Sequence, residues 1–127
     1  RPSPRGALVA VVRCKEGVVF GGFSSALAVI ILSLVRVARD ITDVQEILIT
    51  AASDGQHTAG SRHYVYEAID IRTHNFPSSD SLARFVSLFK RELGGQFAVL
   101  LEHPNEPNEH LHVQPVKGTA YQPVKPV

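Results

Sequence analysis

Two repeat periods alternate along this chain, and their order limits the folds open to it. Ala7 to Arg13 is a short apolar run that reads as a strand. After the Gly21-Gly22 break, Ser24 or Ser25 can cap a helix that runs to about Arg39. Val44 to Thr50 alternates with Ile47 and Ile49 on one face, and Tyr64 to Arg72 alternates again, so both read as strands. The clearest helix starts at a cap on Ser79 or Asp80. It carries Leu82, Phe85, Val86, Phe89 and Leu93 on one stripe and stops at Gly94-Gly95. Gln96 to Glu102 and Leu111 to Val116 follow as strands, separated by a polar, proline-broken turn from His103 to Glu109. This order predicts an α+β domain, an antiparallel sheet with helices packed on one side.

At 127 residues the chain fits one domain, with residues 1–6 and about 117–127 expected as flexible tails. Apolar content of 44% and 20% charged residues are those of a soluble globular protein. A net charge of +1 with scattered basic residues gives no electrostatic case for nucleic acid or an anionic membrane. Cys14 is the sole cysteine, which excludes an intrachain disulfide and a CxxC zinc knuckle. Ala26 to Val35 is the strongest apolar run. It is far shorter than the roughly twenty residues that span a bilayer, so it reads as a buried core helix. The competing reading is a truncated signal-peptide core behind Arg1, Arg5 and Arg13, although no small-x-small cleavage site follows. The proline-rich tail offers a polyproline ligand as a lesser alternative.

The chemistry is concentrated in two stretches, Ser61 to Asp70 (SRHYVYEAID) and Glu109 to Val113 (EHLHV). Imidazole and carboxylate are the ligands a zinc ion takes when one position stays open for water. His63 and Asp70 are seven residues apart, about 23 Å if fully extended and on opposite faces of a strand. Both reach one ion only if the chain bends between Tyr64 and Glu67. His110 and His112 share a strand face, roughly 6–7 Å apart. One can bind an ion while the other touches a substrate or supports the first. For any single histidine, a solvated or hydrogen-bonded side chain is the commoner role.

Taken together, these motifs resemble the zinc D-Ala-D-Ala carboxypeptidase and endolysin family, whose fold and site hedgehog signalling domains share. The family signature is Ser-x-His-x-x-Gly-x-Ala-x-Asp followed by His-x-His. Ser61, His63, Ala68 and Asp70 match the first motif, and His110-Leu111-His112 the second. TAASDGQH, GSRHY, DIRT and VLLE fall in the expected order around them, so the resemblance runs from about Val44 to Val116. It implies zinc on His63, Asp70 and His112, with a glutamate as general base. Glu102, ending a strand, and Glu109, three before His112, compete for that role. His57 and His110 become candidates to stabilise an oxyanion or support a ligand, whereas His74 and His103 are read as neither.

Two departures bear on activity. Tyr66 stands where the family has glycine, at the required bend, and a non-glycine residue accepts positive φ only at a cost. The His103 to Glu109 turn is longer than in close relatives. The family's substrate-gripping arginine has no counterpart between Ala51 and His57, and Arg62 or Arg72 would have to substitute. The resemblance implies a zinc peptidase hydrolysing peptidoglycan peptides, as a carboxypeptidase or an endopeptidase. If the chain comes from a phage, host cytoplasm and then cell wall are the expected locations. The alternatives are a non-catalytic zinc-containing binding or virion structural domain of the same fold, and a metal-free α+β domain.

Overall fold

The computed structural model describes residues 9–53 and 67–116. The expected tails, His57, His63, Tyr66 and the bend demanded there lie outside the described residues. Seven elements follow in order: β1 (Val11–Cys14), α1 (Ser25–Ala38), β2 (Glu46–Ala51), β3 (Ile69–Arg72), α2 (Ser79–Leu93), β4 (Phe97–Glu102) and β5 (His110–Pro115).

Helix α1 begins where the Ser24 hydroxyl accepts the Leu27 N–H at 3.0 Å. Leu27, Ile30, Leu34 and Val37 form its buried stripe, while Leu32 and Val35 are 60% and 41% exposed. The apolar run is therefore a core helix on one face only. No helix among the described residues is long and apolar enough to cross a membrane. Helix α2 is capped at Ser78, one residue before Ser79 and two before Asp80, the sequence candidates. The Ser78 hydroxyl accepts the Ser81 N–H at 3.0 Å, which leaves Asp80 in the first turn, where its charge suits the helix dipole. Phe85, Phe89 and Leu93 are buried, and Phe85 stacks on Phe89 with ring centres 5.5 Å apart. Gly94 ends the helix at φ +80°.

The strands form one sheet in the order β1-β2-β3-β5-β4. The purely antiparallel sheet expected from sequence is corrected to a mixed one, because β1 runs parallel to β2. The cause is the connection: α1 carries the chain back along the sheet between these two strands, so β2 starts at the same end as β1. The remaining pairs are antiparallel. Alternate strand residues, Ile47, Ile49, Ile69, Ile71, Val99, Leu111 and Val113, face one core with Leu27, Ile30, Leu34, Phe85 and Phe89. By the same alternation Asp70, His110, His112 and Glu102 fall on the opposite face.

Candidate metal and acid–base site

Register brings the polar residues together. In β3–β5 Asp70 stands directly opposite His112, and in β4–β5 Glu102 stands opposite His110. Val116 N–H donates to the Gln96 carbonyl, so the alternating ladder makes Glu102–His110 a hydrogen-bonded pair. The backbone groups of His112 then point to β4, and Asp70–His112 becomes a non-hydrogen-bonded pair, where facing side chains come closest. Asp70 also sits where the β2–β3 register shifts between Ile49 and Ala51, an irregularity of the kind that re-aims side chains.

Asp70 Oδ1 lies 3.0 Å from His112 Nδ1, and both residues are more than nine-tenths buried. The other ring nitrogen, Nε2, lies 2.6 Å from Gln114 Oε1. His110 has the same character. Its Nδ1 lies 2.8 Å from the Asn108 carbonyl oxygen. Its Nε2 lies 2.9 Å from Glu102 Oε1 and 3.8 Å from Asp70 Oδ2. All four ring nitrogens thus face oxygen acceptors. Two neutral imidazoles carry only two N–H donors between them. Which nitrogen of each ring donates is therefore set by the tautomer, and Lys15 and Arg72 stand in the depression next to Asp70 and His110. Burial pushes the His112 pKa down. Hydrogen bonds to Asp70 and Gln114, with the charges of Asp70 and Glu102, more than reverse this, and the net direction is up.

The two candidate glutamates part company here. Glu109 accepts hydrogen bonds from the Thr73 hydroxyl and, at 2.8 Å, from the Asn105 N–H. Both carboxylate oxygens are committed to folding the turn back on β3. These bonds, the Asn105 N–H foremost, hold the Glu109 carboxyl below the usual range, helped by His74 and opposed by burial. The turn also places His103 and Asn105 at positive φ, and His74 Nε2 lies 3.2 Å from the Pro107 carbonyl oxygen. Glu102 instead reaches the cluster, with its side chain 42% exposed. A depression of about 350 Å³ opens beside Asp70 and His110, walled in part by Lys15, Arg72, His74 and Glu109. A larger cleft of about 820 Å³ lies on the helix side of the sheet, away from this chemistry.

The structure therefore joins Asp70, His112, His110 and Glu102, places Glu109 on the wall of the same depression with its carboxylate bonded to Thr73 and Asn105, and leaves His57 and His63 outside the described residues. Sequence reading missed Gln114, although its i+2 spacing from His112 on a strand is the signal that puts it on the same face. Among the described residues no three His, Cys, Asp or Glu side chains are grouped to hold a metal ion. Asp70 and His112 supply two facing donors of the type zinc accepts, and Gln114 Oε1 can take the Nε2–H that leaves Nδ1 free to ligate. Comparison with protein-family models, curated proteins and solved structures finds no match.

Proposed function

We propose that this chain is a zinc-dependent peptidase acting on peptidoglycan peptides, with the domain arrangement of the D-Ala-D-Ala carboxypeptidases and hedgehog domains. The observation that carries this reading is the facing of Asp70 Oδ1 and His112 Nδ1 at 3.0 Å on the sheet face away from the helices. The ordered motifs from Val44 to Val116 support it further and supply His63 as the third ligand. Bound zinc supplies Lewis acidity, polarising a scissile carbonyl and acidifying water.

The chain's own residues do the rest. Glu102, at the exposed edge of the cluster, takes a proton from water as the water oxygen bonds to the carbonyl carbon. It returns that proton to the amine as the C–N bond breaks. His110 holds the Glu102 carboxylate through Nε2, and its role in this reading is to position that base or to steady the developing negative oxygen of the substrate. Lys15 and Arg72, in the depression beside Asp70, supply positive charge for a substrate carboxylate.

The test is zinc content and murein-peptide hydrolysis of the purified chain, beside Glu102→Ala. The peptidase reading requires zinc in both proteins and hydrolysis only in the unsubstituted one. Zinc without hydrolysis in either would make the protein a non-catalytic binding domain. Absence of zinc uptake would overturn both readings.

A further inference from the structure

We infer that the free edge of β4 is a self-association surface, on which a second copy of this chain pairs antiparallel to give one continuous sheet. The inference is independent of the peptidase reading. Among the described residues no strand lies beyond β4. The hydrogen-bonding alternation that joins Ala98, Leu100 and Glu102 to β5 turns the N–H and C=O groups of Val99 and Leu101 outward. Exposed edges are normally blunted by charge, proline or a bulge. The other edge follows that rule, since β1 has only four residues and carries Arg13, paired with Glu46 at 2.7 Å. In contrast β4 reads FAVLLE, with neither proline nor a basic residue and its only charge at the last position. Leu100 and Leu101 are 46% and 45% exposed although they point to opposite faces of the sheet. Covering both requires a neighbour in the plane of the sheet; a helix on one face would cover only one of them.

Charge selects the partner and its direction. Lys90 and Arg91 line the cleft beside Gly94, Gly95 and the start of β4, whereas Glu102 and Glu106 mark the other end. An antiparallel second copy brings each basic end to the other's acidic end, and a parallel one would set like against like. The outward groups fix the register. Val99 of each copy pairs with Leu101 of the other through four backbone hydrogen bonds. Leu100 then meets its own symmetry mate across the two-fold axis at a closely spaced, non-hydrogen-bonded position. On the helix side, each Leu101 lies against the other copy's Val99, at the mouth of the cleft floored by Leu82 and Val86.

The self-facing position gives the test. The full chain should sediment as a concentration-dependent dimer of twice its 13.8 kDa mass. Leu100→Lys and Leu100→Glu each place like charges face to face, and each should raise the dimer dissociation constant roughly tenfold or more. An equimolar mixture of the two should recover a heterodimer. Circular dichroism checks that each variant is folded. If one is not, Lys90→Glu with Arg91→Glu should weaken the dimer by a similar factor, and adding Glu106→Lys should restore it. A wild-type chain that stays monomeric at all concentrations would overturn the inference, whether or not residues 117–127 cover the edge. So would a dimer indifferent to the charges at position 100 or, in the fallback, at positions 90 and 91.

Discussion

Replacing Glu109 and Glu102 separately by alanine should produce different phenotypes, because Glu109 ties the turn to β3 whereas Glu102 meets His110 and is the base in the proposed reaction. Glu109 makes two charge-assisted hydrogen bonds, from the Thr73 hydroxyl and the Asn105 N–H. Bonds of this kind are worth about 1.5–3 kcal/mol each when shielded. Glu109 is only partly buried, so solvent screening brings the expected loss for Glu109→Ala to about 1–2 kcal/mol in total. For a chain of this size that corresponds to a fall in Tm of roughly 4–8 °C. Glu102 makes a single partly exposed contact to His110, and Glu102→Ala should cost under about 1 kcal/mol. On the peptidase proposal, Glu102→Ala should in contrast lower the rate of murein-peptide hydrolysis by roughly 10²- to 10⁴-fold, the ordinary worth of a positioned general base. Urea unfolding and murein-peptide hydrolysis on the same preparations read the two effects. The pH dependence has a defined sign. The folded-state pKa of Glu109 is depressed, so its contribution is present above the ordinary value of 4.5 and disappears as pH falls through the folded value. The stability gap between wild type and Glu109→Ala should therefore close in acid. A Glu109→Ala protein of wild-type stability but without activity would refute the assignment of roles.

Asp70→Asn keeps the shape of the buried pair but removes the charge facing His112, so zinc affinity should fall sharply in isothermal titration while the fold survives by circular dichroism. Phe85, fully buried against Phe76 and Phe89, should cost about 3–5 kcal/mol as Phe85→Ala in denaturant unfolding. Gly94→Ala should cost about 1–3 kcal/mol through backbone strain alone. Its φ of +80° and ψ of −178° suit only glycine, and no atom stands within 4 Å of the added Cβ.

Much of this architecture was legible in the sequence. The stripe from Leu82 to Leu93 and the Gly94 stop defined α2, since a helical period and a positive-φ terminator are local signals. The cap position is less legible, because Ser78, Ser79 and Asp80 are all competent residue types and composition does not choose among them. The parallel β1–β2 pair was not legible. Val11 to Cys14 is short and largely exposed, and nothing within it records that α1 returns the chain to the same end. At the site, period two alone placed His110 and His112 on one face. That Asp70 meets His112 while Glu102 meets His110 depends on strand register, which is set by distant residues. That Glu109 is bonded to Thr73 and Asn105 was not legible from spacing, because it depends on how the 103–109 loop folds back.

The most direct test is anomalous diffraction at the zinc edge from crystals grown with the metal. The account predicts one strong peak bonded to Asp70 Oδ1 and His112 Nδ1 at about 2.0–2.2 Å, with His63 as the third protein ligand. Crystals in excess zinc that show no peak there, with Asp70 still hydrogen-bonded to His112, would contradict it.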